Sequence, residues 1–317
     1  MNKPFKSVGY CDGISIIQEA FKAVGITNYE HISVEYDEKA NDVVRKNFPN
    51  TIFEKDVRTV DIESIGEIDF FSSGFSCKNV SAAGSKKGLT TTTGIPVLTY
   101  DDYRNMKDMK ALRFKFTETC YTFWESIGAK EKFQEKNPNM GYLFENVKMN
   151  QETEDIISRA IGHGPIAINS KYFTSQNRDR RFWMPSWLLP DDDYERTIKP
   201  LSIIIPDAVA GGGYRRKDRN GEYEYNHFTM RKDGIANCLT TFKAHEKNLG
   251  TRFYVTADGY IKALMIYHME QLQGLPIGYT NIPGITDDDR IRMLGNCWTV
   301  PVISYLLKNL REELVYV

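Results

Sequence analysis

The chain has 317 residues, enough for one large α/β domain with a smaller one appended, and 41 lysines and arginines against 42 acids leave a net charge of −1. That balance excludes a wholly basic nucleic-acid adhesive, so any polyanion surface must come from local sorting of charge. The five cysteines, at 11, 77, 120, 238 and 297, are odd in number and form no CxxC pair, which leaves neither a disulfide framework nor a zinc pattern; with no signal-peptide core and no apolar run of spanning length, the expectation is a soluble cytoplasmic protein without metal or membrane.

Ser7 to Tyr10 predicts a short first strand and Cys11-Asp12-Gly13 a tight turn, followed by a helix with Ile14, Ile17, Phe21 and Val24 on one face and a stop at Gly25. Strand, glycine turn and helix open a nucleotide-binding βαβ unit. The turn lacks GxGxxG, so Tyr10 to Ile14 suit a cofactor without phosphates better than a dinucleotide. A second strand from His31 to about Tyr36 delivers Glu35, a candidate acceptor for both ribose hydroxyls, with Tyr36 beside it for an adenine face. The plain alternative for Glu35 is a solvated strand end. A helix from Glu38 to Phe48 precedes a third strand near Thr51 to Lys55, and Asp56 with Val57 follows; Asp56 reads equally well as a turn cap.

The apolar run Ile68-Asp69-Phe70-Phe71 predicts a strand buried on both faces, ended by Ser72, Ser73 and Gly74. Cys77 then stands on a loop at the carboxyl end of a central strand, where open α/β sheets place their chemistry. Lys78, Lys86 and Lys87 would favour its thiolate if near; alone, a cysteine is more often a small buried hydrophobe. The glycine-rich loop beyond, with Ser81 and Thr90 to Thr93, reads as a mobile segment able to grip phosphates, or as an ordinary surface loop. One long helix is expected from Tyr103 to Ile127. Tyr142 to Phe144 predicts a strand delivering Glu145, Thr153 to Ile161 a helix, and Ile166 to Asn169 a strand. Gln176 to Trp183 predicts one more strand, with Arg178 and Arg180 on one face. These acid and basic residues read as a site or as a structural ion pair.

From Met184 to about Ile261 apolar periodicity weakens. Nine lysines and arginines against six acids between Asp207 and Arg252 make this stretch locally basic, with tyrosines interspersed. Leu264 to Leu272 and Ile291 to Tyr305 return to helix.

Cys77, Glu145-Asn146-Val147, Gln176-Asn177-Arg178-Asp179-Arg180 and Leu294-Gly295-Asn296, in that order, give the chain a resemblance over nearly its whole length to the DNA cytosine-C5 methyltransferases of compact prokaryotic or phage type. The resemblance implies a Rossmann-like S-adenosylmethionine-dependent methyltransferase sheet from residues 1–183 plus 262–317, and a smaller target-recognition domain at 184–261. It implies S-adenosyl-L-methionine as cofactor, with S-adenosyl-L-homocysteine as product, held by Tyr10 to Ile14, Glu35, Tyr36, Asp56 (on the adenine amino group), Val57, Ser73 and Asn296. It makes Cys77 the nucleophile that adds to cytosine C6, Glu145 the acid at N3, and Arg180 with Arg178 behind it the holder of O2 and partner of Glu145 by bidentate pairing. Double-stranded DNA would be gripped through Lys78, Ser81, Lys86 and Lys87 and read by Arg215 or Arg216 after base flipping. A monomer, nucleoid-associated in a bacterial or phage-infected cell, is implied with or without a restriction partner.

Two residues depart from the family's Pro-Cys-Gln: Ser76 and Lys78 flank the thiol. Ser76 removes a φ restraint, which predicts a less preorganised loop. Two other readings stand beside the first: transfer to RNA, since one branch of the family acts on transfer RNA, and a catalytically impaired DNA-binding relative.

Overall fold

The computed structural model describes residues 3–81, 84–109, 115–191, 193–212, 215–217, 223–228, 230–241 and 252–310. Its centre is a seven-stranded sheet in the order β3-β2-β1-β4-β5-β8-β6. These strands are β1 (Phe5–Tyr10), β2 (Tyr29–Val34), β3 (Ile52–Glu54), β4 (Phe70–Ser73), β5 (Gly141–Val147), β6 (Ile166–Asn169) and β8 (Asp179–Trp183), with a two-residue strand β7 (Gln176–Asn177) outside the sheet. The first five run parallel, and β8 is antiparallel to both of its neighbours. The central strands read as apolar runs because both faces are covered. One core layer joins α1 (Ile16–Ala23) to the last helix, α9 (Val300–Leu306), through Ile17, Phe21, Val302 and Ile303; the other packs Phe71 and Phe144 against Phe123 and Phe133 of α5 (Glu118–Lys136).

The helices α2 (Glu38–Asn47), α3 (Ile62–Ile65) and α6 (Gln151–Ile161) connect strands of this sheet. The expected single helix from Tyr103 to Ile127 is two, α4 (Tyr100–Asp108) and α5. Phe116, just before α5, forms a β-bridge with Thr91, and Thr117 N–H donates to Thr90 O, so this backbone is committed to the loop that follows β4 and cannot stay helical. The expected strand Gln176 to Trp183 also divides. β7 pairs with β12 (Ala236–Asn237), β8 joins the large sheet, and Arg178 stands at the break. The two arginines therefore do not share one strand face.

Between residues 184 and 261 lie β9 (Ala208–Gly211), β10 (Arg215–Lys217), β11 (Tyr223–Phe228), β12 and β13 (Phe253–Thr256), with β14 (Ile261–Ala263) at the end. β14, β13 and β9 form a small antiparallel sheet. Its apolar side, with Leu201, Ala208 and Tyr254, belongs to the same core as Leu264, α7 (Ile266–Leu272) and α8 (Asp287–Asn296). Among the described residues, no helix is long and apolar enough to cross a membrane and no group of three or more His, Cys, Asp or Glu is placed to hold a metal ion.

Candidate active site

Strand register sets the site before any side chain is considered. Tyr10 stands opposite Val34 and Ser73, and Ser73 opposite Phe144. The residues that follow them, Cys11, Glu35, Gly74 and Glu145, therefore lie at one level along the carboxyl edge of the sheet. Because β8 is reversed, its beginning reaches the same edge, and Arg180 stands opposite Val147, on the face that Glu145 shares. One cavity is lined by the turn from Tyr10 to Ile14, by Glu35, Tyr36 and Asn296, and by Cys77, Glu145 and Arg180.

The turn is strained and held. Cys11, Gly13 and Ser15 have φ of 52°, 57° and 53°, a run of left-handed residues that persists only where its surroundings enforce it. Asp12 supplies the anchor. Its buried carboxylate lies 3.1 Å from His31 Nε2, and His31 Nδ1 lies 2.8 Å from Ser7 Oγ. Burial works to raise the Asp12 carboxyl, but His31 beside it holds it below the ordinary carboxylate range.

Glu35 is buried, and its two carboxylate oxygens accept the N–H groups of Gly13 and Asp37, both at 2.9 Å. Burial pushes its carboxyl up against the pull of those two donors. Each oxygen keeps a further acceptor position, a set that matches two neighbouring ribose hydroxyls. A Cβ built on Gly13 would meet open space, and Tyr36 is 61% exposed on the cavity wall. An acceptor pair, an open turn and an exposed aromatic face fit a nucleoside-bearing cofactor such as S-adenosylmethionine.

Cys77 begins a tight turn after β4, its carbonyl accepting from Val80 and Ser81 N–H. Burial pushes its thiol above the ordinary value and Glu145 pushes it further, while Arg180 and Arg178 pull it down. These two arginines are the strongest cationic influences on the thiol, and Lys78 also interacts with it. Lys78 is turned to Glu118 at 2.6 Å, and Lys86 and Lys87 are exposed. Glu145 is buried, with Arg180 Nε 3.0 Å from its Oε1 and Trp298 Nε1 donating to its Oε2 at 2.8 Å. Burial raises the Glu145 carboxyl, against the pull of Arg180, Arg178 and the indole. The pairing with Arg180 is thus a single contact, with tryptophan on the second oxygen.

Arg178 does different work. Only 2% exposed, it donates from Nη2 to the carbonyls of Gly295 at 3.1 Å and Cys297 at 2.7 Å, and from Nη1 to Leu239 O at 3.3 Å. It ties β8, the segment after β12 and the end of α8 together. Arg178→Met keeps the length of the chain and removes every donor, leaving those buried acceptors bare. Thermal unfolding should show a loss of about 3 kcal/mol in stability, and an unchanged melting temperature would refute this reading of Arg178.

Other expected contacts are not brought to the cavity. Asp56 and Val57 do not line it; Asp56 is taken by Arg58, whose Nε and Nη2 reach its oxygens at 2.9 and 2.6 Å, and this pair holds its carboxyl low. Ser73 is fully buried and its hydroxyl meets Ser126 Oγ at 2.8 Å. Ser81 lies in the turn after Cys77. The side chains of Arg215 and Arg216 lie outside the described residues.

Residues 5–116 match the family model of the C-5 cytosine-specific DNA methylases. Over that stretch the chain is similar to these methylases. The Type II methyltransferase M.Bsp6I of Bacillus sp. (strain RFL6) is 37% identical over 55 residues, which are 17% of this chain and 18% of that relative. Two solved structures share the fold over nearly the whole of both chains. The S. pombe Dnmt2 methyltransferase matches with a TM-score of 0.65 at 13% identity, covering 98% of this chain and 99% of its own. The Entamoeba histolytica methyltransferase EhMeth matches with 0.59 at 15% identity, covering 99% of each. A Rossmann-like methyltransferase sheet is thus the fold of the chain.

The departures beside the thiol have a structural meaning. Ser76 does not loosen the loop: its N–H, which proline lacks, donates to Thr122 Oγ1 at 3.1 Å. Asn79 N–H donates to Thr119 Oγ1 at 3.0 Å and Asn146 Nδ2 to Phe75 O at 2.8 Å. The stretch around the thiol is therefore pinned to the start of α5 and to β5. Sequence reasoning missed three neighbours of the site. Glu118 is the partner of Lys78. Cys238 lies 3.4 Å from Arg178 Nη1 and 3.7 Å from Arg180 Nη2; burial works to raise its thiol, but the two arginines hold it below its ordinary value. Trp298 stands two residues past Asn296, inside the stretch Ile291 to Tyr305 expected as helix, and lies between α8 and α9.

Proposed function

We propose that this protein transfers a methyl group from S-adenosylmethionine to C5 of cytosine in double-stranded DNA. The observation that supports the reading is the shared cavity, where a half-buried thiol, a buried carboxyl and its arginine meet a cleft suited to a nucleoside. S-adenosylmethionine supplies an electrophilic methyl group when bound, with the turn from Tyr10 to Ile14, Glu35, Tyr36 and Asn296 as its holders. Unaided cytosine C5 is too weak a nucleophile to accept that methyl.

Cys77 changes this. Its thiolate adds to C6, the C5–C6 double bond opens, and Glu145 gives a proton to N3, so that the ring becomes a neutral enamine nucleophilic at C5. Arg180 holds O2 and, with Glu145, keeps that edge of the base in place. After methylation a water or a neighbouring side chain takes the C5 proton, the C5–C6 double bond re-forms as the thiolate leaves, and N3 returns its proton to Glu145. A duplex must present the cytosine outside its stack, at a cost on the order of a few kcal/mol. Lys86 and Lys87 are the phosphate contacts of this reading, and residues 184–261 the part that reads bases. The Type II name of the Bacillus relative favours a restriction-modification setting.

The test is expression in a host free of cytosine methylation, with Cys77→Ser as control, and mass spectrometry of nucleosides from DNA and RNA. New 5-methylcytosine in DNA, lost in the control, is the expected result. Modification confined to RNA would move the substrate, and no modified nucleoside in either pool would refute methyl transfer.

A further inference from the structure

We propose that Trp298 is a positioning residue for Glu145, its indole N–H fixing one carboxylate oxygen as Arg180 fixes the other, so that the acid's remaining proton-binding positions face the cavity. The inference rests on the proposed role of Glu145.

The geometry carries it from three sides. Trp298 Nε1 donates to Glu145 Oε2 at 2.8 Å, across 153 positions of sequence, and Trp298 lines the same cavity as Cys77. An indole N–H is a donor only, as is the guanidinium on Oε1, so neither takes the proton that Glu145 must hold for the ring. Two donors on different oxygens fix the carboxyl plane, which one contact leaves free to rotate.

The second side is Gly74. A Cβ built there would lie 3.2 Å from Trp298 Nε1 and 3.3 Å from Cζ2. A side chain at 74 would therefore press on the indole, and the residue ending the nucleophile's strand is one that leaves room for it. The third side is charge. Glu145 faces Arg180 and Arg178 at the start of β8, the Cys77 thiol after β4, and Cys297 at the end of α8, with Cys238 behind the arginines. Burial is the strongest influence on Glu145, and the indole is one of the groups that offset it.

Trp298→Phe removes the N–H and keeps a ring in place. The expected result is a fall in kcat of about tenfold, with unchanged S-adenosylhomocysteine affinity by calorimetry. The acidic limb of the rate profile, set by the lower-titrating member of the Glu145 and Cys77 pair, should move up by about one pH unit because the carboxylate has lost a donor. Gly74→Ala, whose backbone any residue adopts, should move the limb in the same direction by displacing the indole. A readout independent of activity is the pH titration of tryptophan emission. Wild type should show a transition that is absent from both Trp298→Phe and Glu145→Gln. If that transition survives in either variant, or if Trp298→Phe weakens cofactor binding while its limb stays in place, the positioning role is wrong and Trp298 is only a cavity wall. A wild-type enzyme with no methyl transfer but with the Trp298-dependent transition would refute the function and leave the contact standing.

Discussion

Under the proposed function, Cys77→Ser is expected to lower methyl transfer by roughly a thousandfold or more, with folding and cofactor binding expected to persist. The reasoning is local. Serine differs from cysteine by one atom, so a half-buried site that makes no disulfide tolerates the change at a stability cost below about 1 kcal/mol. What it loses is the nucleophile of the proposed mechanism. A thiol has access to its anion under the combined pull of Arg180 and Arg178, whereas a serine hydroxyl does not, and Glu145 is already engaged by Arg180 and Trp298. The direct measurement is covalent capture on a DNA oligonucleotide carrying 5-fluorocytosine, whose C5 substituent cannot leave as the proton does. Wild type should form a complex that survives denaturing electrophoresis, and Cys77→Ser none. Equal capture by both proteins would show that another group attacks the base.

The parts of this site that were legible in the sequence are those fixed by strand ends. β4 and β5 announce themselves as apolar runs because a parallel sheet buries both faces, β1 and β2 as short strands that end at a turn and a helix start, and parallel register then puts Cys11, Glu35, Gly74 and Glu145 at one level. What failed was decided by partners remote in sequence or by competition too local to weigh. Periodicity extended one helix from Tyr103 to Ile127 because it carries no sign of the Phe116 to Thr91 bridge. The alternation around Gln176 to Trp183 reads as one strand, yet Arg178 serves three carbonyls from two other segments and breaks it. Asp56 sits where an adenine contact was expected, but Arg58, two residues on, closes over it. Trp298 reaches Glu145 only after α9 folds back against α1, and nothing in its local sequence marks that contact.

Glu145→Gln separates the two halves of the chemistry, because it should cripple methyl transfer and at the same time make Cys77 more reactive. The first effect follows from the loss of the acid that the proposed mechanism places at N3. A glutamine amide keeps the shape and donates a hydrogen bond but transfers no proton, so a fall of about a hundredfold to ten-thousandfold is expected. The second follows from charge. Burial and then Glu145 hold the Cys77 thiol above its ordinary value, and Arg180 and Arg178 act against them. Removing the negative charge leaves burial and the two arginines, so the thiol pKa falls. At neutral pH, below that pKa, each unit of fall raises the thiolate fraction about tenfold. Alkylation of Cys77 by iodoacetamide, followed by peptide mass spectrometry across pH 6 to 9, reads this directly. The variant's curve should lie at lower pH than that of the wild type. Slower or unchanged alkylation would mean that Glu145 does not act on the thiol through its charge.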